Sequence, residues 1–288
     1  MKKISTEISS ISAVVGAERA VEYVAKAGFD CWDLSLFDMA RYNWSTCSVI
    51  DSDHPLRGPG YLAYVRKLKR IALDNGIECN QSHAPFPVLC KEIRDLLKRS
   101  IECTAEAEGK ICVIHPDCFK TAEENAEMYL ELLPFAKEHG VKLATENMWD
   151  WSKKTDCASP VACSTHEDFA AHIKAVNDPY LIACLDIGHA EMRGLGTSSV
   201  EMIRTLGDSL EALHIHDNDL WKDRHALPFT MDIDFGKVIK ELKAIDYKGE
   251  LTLEADSHMK SFTEENAFEG VKIMADTAKK LAEMYEEA

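Results

Sequence analysis

The feature that most constrains this chain is a rhythm. A short β-type run is followed by an amphipathic stretch, and the pair repeats from one end of the sequence to the other. The β-type runs are KKISTEIS (2–9), FDCWDLSLF (29–37), IECNQSHAPF (77–86), KICVIHP (110–116), VKLATENM (141–148), YLIACLDIGHA (180–190), LEALHIHDND (210–219) and GELTLEAD (249–256). Between them lie helical patterns, four of which run into a glycine stop at Gly28, Gly76, Gly109 and Gly140. A last amphipathic stretch, 263–288, closes the chain. Strand–helix units of about 30 residues predict a parallel sheet. Eight of them within 288 residues predict an α/β fold of the (β/α)8 TIM-barrel type, one domain over 1–288. A doubly wound open sheet would normally carry a glycine-rich first turn, and EISSISAVVGAE has no GxGxxG. The longest interruption, 149–165, is expected to be a lid or specificity loop.

Composition excludes several partners. With 49 acidic and 33 basic residues the net charge is −16, which disfavours a nucleic-acid backbone. No apolar run reaches the roughly 18 residues of a membrane span, and the N-terminus lacks a continuous apolar signal segment, so a cytoplasmic protein with no membrane partner is expected. Ten cysteines occur without a CxxC pair, which suits buried thiols in a reducing compartment better than disulfides.

In a barrel of this kind chemistry sits at the C-terminal ends of the strands. Reading only those ends gives His83, His115, Glu146, Asp186 with His189 just after it, His214 with Asp223 and His225 in the following loop, and Glu254. Side chains alternate across a strand, so an inward His214 turns Leu213 and Ile215 toward the helices. The same logic turns Glu146 and Glu254 inward, and Leu143, Thr145, Leu251 and Leu253 outward. Nine nitrogen and oxygen donors therefore converge on one mouth, and burying so many without a cation is costly. The stretch LHIHDNDLWKDRH (213–225) alone holds three histidines and three aspartates. Such donors suit one to three divalent metals per chain, Zn or Mn first and Co or Fe next. Five further histidines, His54, His139, His166, His172 and His258, are expected in solvated loop or helix positions. Trp149, Trp151, Trp221, His216 and Arg224 are the candidates for substrate contact, the indoles by stacking on a sugar face.

At ENMWD, LDIGHA, HIHDND with DRH, and LTLEAD, the chain resembles the xylose-isomerase-like TIM-barrel superfamily, across essentially its whole length. That group includes sugar and sugar-phosphate isomerases and epimerases, inosose dehydratases and endonuclease IV. The resemblance implies that Glu146, Asp186, His214 and Glu254 are the shared metal ligands. It implies that His83, His115, His189, Asp223 and His225 match the extra ligands of endonuclease IV. Ketose 3-epimerases carry a glutamate where this chain has Ser152 and an arginine where it has Leu220, so a free-ketose 3-epimerase of that type is not expected. The function expected is a metal-dependent isomerase or epimerase of a small sugar, sugar acid or sugar phosphate, or a related lyase or dehydratase. Glu146 and Glu254 would be its proton-transfer groups. The alternative is a multinuclear phosphoesterase acting on a small substrate. A homodimer or homotetramer is expected from resemblance alone.

Overall fold

The computed structural model describes residues 1–288. Its eight barrel strands are β1 (Ile4–Thr6), β2 (Cys31–Ser35), β3 (Glu78–His83), β4 (Ile111–Val113), β5 (Lys142–Glu146), β6 (Leu181–Asp186), β7 (Leu210–His214) and β8 (Leu251–Leu253). All neighbouring pairs are parallel. β2 to β7 form a continuous ladder in sequence order, and β1 pairs with β8. Two single bridges, Glu7 with Asp33 and Ile215 with Leu253, join these pieces, so the sheet closes on itself. The expected (β/α)8 barrel is thus the observed fold.

Each strand is followed by an outer helix that buries one apolar stripe. Helix Ala17–Ala27 shows how: Ala20, Val21, Val24 and Ala27 fall on one side of it and are all buried. Gly28, Gly76 and Gly140 adopt positive φ at the helix ends, as expected of glycine stops. At Gly109 the expectation needs correction. Glu108 takes the left-handed conformation instead, and Gly109 is small because Thr104 and Cys79 crowd the space a Cβ would fill.

The alternation of the strands divides the core in two. Outward-facing Leu143, Leu213, Ile215, Leu251 and Leu253 join a 70-residue cluster between sheet and helices. Inward-facing Val113, Ala144, Ile182, Cys184 and Ala212 form a small plug inside the barrel. Above that plug the inward positions become polar, and these are the strand ends singled out in the sequence. All ten cysteines are free and six are buried, including Cys112 and Cys184.

Two antiparallel hairpins rise beyond the strand ends. One, at Asp150–Ser152 and Cys157–Ser159, gives the 149–165 interruption a structure of its own. The other, at Arg41–Asn43 and Ser48–Ile50, was not legible in the sequence. No helix is long and apolar enough to cross a membrane.

Candidate metal centre at the barrel mouth

Register brings the central donors together. Asp186 at the end of β6 lies directly opposite His214 at the end of β7. Cys184 on β6 lies opposite Glu146 at the end of β5. Glu254 follows the last residue of β8. The His214 Nδ1 atom is 3.2 Å from Glu146 Oε2 and 3.6 Å from Glu254 Oε2. Glu146, Asp186, His214 and Glu254 place their ligand atoms within 4.8 Å of one another, all buried. Behind the ring, His214 Nε2 lies 3.1 Å from Gln81 Nε2 and 3.5 Å from Asp33 Oδ2, which fix its orientation.

Glu146 also serves a second group. His83 Nε2 and His115 Nε2 lie 3.5 and 3.3 Å from its Oε2, and 3.0 Å from each other. A third group lies on the far side of Asp186: His189, His216, Asp223 and His225. His189 Nδ1 donates to the Asn147 carbonyl at 2.9 Å, and His225 Nδ1 donates to the Glu254 carbonyl at 2.9 Å. A carbonyl only accepts, so both rings turn an Nε2 toward Asp223 Oδ2, at 3.2 and 3.1 Å.

The electrostatics of the mouth call for positive charge. Burial would raise the Glu146 carboxyl, but His214 and His115 outweigh burial and hold it well below the usual range. Burial pushes Glu254 well above that range, with Glu146 and Asp186 adding to the effect against His214 and His225. Burial would lower His189, yet Asp186 and Asp223 push it up to about 10. Buried side-chain atoms with no hydrogen-bond partner concentrate here as well. They include His83 Nδ1, His115 Nδ1, Glu146 Oε2, Asp186 Oδ2, His214 Nδ1, His216 Nε2 and Asp223 Oδ1. A lone pair left unmatched in a low-dielectric site costs about 1–3 kcal/mol, so seven together fit a site built to hold a cation. The donors are imidazole and carboxylate, a set suited to Zn, Mn, Co or Fe.

All nine donors expected from the strand ends thus meet at one mouth. The substrate-contact candidates are distributed less evenly. The Trp149 ring is 6.3 Å from His189, and Trp151 lies on the 150–159 hairpin. Trp221 is 45% exposed, with the Arg193 guanidinium 5.2 Å from its ring. Arg224 is held by Asp219 through Nε at 2.7 Å. His216 is fully buried and stacks on His225, the centroids 4.0 Å apart. Of the five histidines expected in solvent, His172 is buried and bonded to Asn125, because its helix turns that face toward its neighbour; the other four are half-buried.

Several residues of the site escaped the sequence. Asn147 clamps β5 to β6, its side chain donating to the Asp186 carbonyl at 2.9 Å and accepting from the Asp186 amide at 2.8 Å. Asp217 gathers the amides of Thr230, Met231 and Ile233 and so shapes the loop that carries Asp223. Phe37 packs on His83 and Phe86 stands edge-on to His115, at 4.6 and 4.7 Å. Phe86, Trp44, Phe119 and Trp149 line an apolar cleft of about 190 Å³ beside the donors. Of its lining, the sequence had singled out only Trp149.

Comparison with known proteins agrees with this fold. Residues 21–280 match the family described as xylose isomerase-like TIM barrel, and the chain belongs to that family. An uncharacterised protein of Methanocaldococcus jannaschii is 25% identical over 254 residues, covering 82% of this chain and 78% of the relative. Among solved structures, a D-tagatose 3-epimerase-like protein superposes with a TM-score of 0.70 at 21% identity, covering 100% of this chain and 99% of the other. An L-ribulose 3-epimerase superposes with a TM-score of 0.71 at 17% identity, covering 100% and 95%. At these identities the two structures speak to the fold.

Proposed function

We propose that this chain is a metal-dependent isomerase or epimerase of a small sugar, sugar acid or sugar phosphate. The observation that carries the reading is the pair Glu146 and Glu254. The two carboxyls approach His214 Nδ1 from different strands, and their surroundings push their proton affinities in opposite directions. Bound by Glu146, Asp186, His214 and Glu254, a divalent cation would polarise a hydroxy-carbonyl and so acidify the neighbouring C–H. Glu146 and Glu254, reaching the site from different strands, would take the proton from one face of the carbon and return it to the other. Phe37 and Phe86 exclude water beside the histidines, and the Trp44–Phe86–Phe119–Trp149 cleft offers an apolar wall to a sugar. The sugar epimerases among the superposed structures support this class. Ser152 and Leu220 argue that the substrate is not a free ketose handled as in the 3-epimerases. A lyase outcome shares the same first proton transfer.

The test is to incubate the metal-loaded protein with a panel of sugars, sugar acids and sugar phosphates in deuterated water. Deuterium entering one carbon-bound position, with growth of a new isomer in the NMR spectrum, is the expected result. No exchange with any member, together with cleavage of a chromogenic phosphodiester, would establish the second reading, a multinuclear phosphoesterase. One observation favours that alternative: three donor groups occur side by side, two of them sharing Glu146.

A further inference from the structure

Four consecutive loops bring aromatic rings together beside the donors. Trp44 comes from the hairpin after β2, Phe86 from the loop after β3, Phe119 from the loop after β4 and Trp149 from the stretch after β5. These strands are neighbours in the sheet, so their loops are neighbours on the rim. The cleft the rings enclose, about 190 Å³, adjoins the donors on two sides. The Phe86 ring stands 4.7 Å from the His115 ring, and the Trp149 ring 6.3 Å from the His189 ring. Trp44 stands 6.3 Å from Phe86. The chemistry of the lining is one-sided. It has no lysine or arginine, and its single acidic side chain, Asp150, is exposed. Burial pushes the Cys118 thiol up to about 12, so that group is neutral as well. A phosphate or carboxylate would meet no counter-charge here. A sugar ring enclosed by these walls would leave hydroxyls without partners, which is costly. An apolar cavity of about 150 Å³ takes one benzene ring, so this cleft has room for one aromatic ring and little more.

We propose that this cleft is a subsite for a neutral aromatic substituent, and that the substrate is an aryl-substituted sugar rather than a sugar phosphate or sugar acid. The substituent lies among Trp44, Phe86, Phe119 and Trp149, offset-stacked or edge-on to them. The oxygen that links it points toward the donors. The sugar keeps a carbonyl and a neighbouring hydroxyl free for the metal. Trp44 and Phe119, 62% and 72% exposed, are large apolar rings held in water until the substituent covers them, and they set the specificity. A second copy of this chain would need a broad face of about 800 Å² per partner, whereas a cleft sized for one ring suits a small group. The proposal rests on reading the mouth as the reaction centre for a sugar, and it narrows the substrate class.

Binding tests this without a known substrate. Matched methyl, phenyl and phosphate derivatives of common hexoses and pentoses are titrated into metal-loaded protein by calorimetry. Phenyl members are expected to bind roughly three- to tenfold more tightly than their methyl partners, and phosphates no more tightly than methyl. Trp44→Ala and Phe119→Ala, changes at exposed positions, should pull the phenyl-to-methyl ratio back toward one. In ¹⁵N-labelled wild type, the indole signals of Trp44 and Trp149 should move with phenyl members, and that of Trp32, buried in the core, should not. Equal affinity for phenyl and methyl members, no phenyl binding at all, or tighter binding of phosphates overturns the proposal. So does a phenyl preference that survives both substitutions. A change of gel-filtration mass on Trp44→Ala, without any phenyl preference, would assign the cleft to a second copy and also overturn it. Deuterium exchange into a plain sugar without a phenyl preference sinks the subsite alone. A phenyl preference with no exchange in any aryl sugar sinks the isomerase reading alone.

Discussion

Both ends of the barrel carry charged side chains, and the two ends treat them in opposite ways. At the foot, where the strands begin, charges are paired or wet. Lys142 and Glu211 meet at 2.6 Å, each about a third exposed. The Lys2 ammonium rests on the carbonyls of Tyr247 and Gly249 and lies 5.0 and 4.9 Å from the Tyr247 and Tyr285 ring centroids. The foot also holds roomy concavities, one of about 390 Å³ near Lys3, Lys69 and Glu250. At the mouth the charges are buried, crowded and short of partners, and the apolar cleft beside them measures only about 190 Å³. Cavity size therefore misplaces the site. What identifies it is convergent lone pairs with nothing to meet, because water and counter-charges relieve the foot and neither relieves the mouth.

That contrast breaks first, and most severely, at Glu146. Glu146→Gln should lower turnover of a competent sugar by about 10²–10⁴-fold, the range for a lost general base, measured by deuterium exchange at the reacting carbon. If activity survives within a few-fold, the mouth is not the reaction centre. Metal removal comes next. A cation present at about a hundred times its Kd adds roughly 2.7 kcal/mol to the folded state, so chelation should lower the melting temperature and abolish turnover, and readdition of Mn²⁺, Co²⁺ or Zn²⁺ should restore both. Calorimetry of stripped and reloaded protein checks this.

A smaller effect lies at the edge of the mouth. Burial, and then Asp256, Asp33 and Glu254, raise the Glu7 carboxyl well above its ordinary value. For a raised carboxyl, the stabilising contribution is full below the unfolded-state value and is lost as pH rises through the raised folded value. Glu7→Gln should therefore flatten the fall in melting temperature from mildly acidic to mildly alkaline pH. An unchanged slope would mean that other groups govern it. The smallest effect belongs to the foot. Lys142→Ala breaks a pair worth about 0–1 kcal/mol at such exposure, and it should leave metal content and turnover unchanged. A large loss of either would erase the distinction between the two ends.

Much of the site was legible in the sequence because a parallel barrel forces it. Alternation decides which face each residue takes, and strand ends decide height. His83, Glu146, Asp186, His214 and Glu254 could thus be placed from the runs that carry them. The tryptophans and Arg224 were less legible, because they sit in loops whose paths no periodicity specifies. His172 shows the same limit in a helix: a polar residue was taken for a solvated one, and only the packing of its helix against Asn125 reveals that it is buried.

The sequence by itself determined the eightfold β/α rhythm, the glycine stops at Gly28, Gly76 and Gly140, and the donors at the strand ends, since each follows from local periodicity or local backbone freedom. Only the tertiary structure decided how nine donors divide into neighbouring groups, and that Asn147 and Asp217 are the clamps that hold them. It also decided that Gly188 yields its space to His216, and that Trp44, from a hairpin some forty residues before Phe86, completes the apolar wall. Those facts depend on distances between segments far apart in the chain, set by barrel closure and side-chain packing rather than by any local pattern.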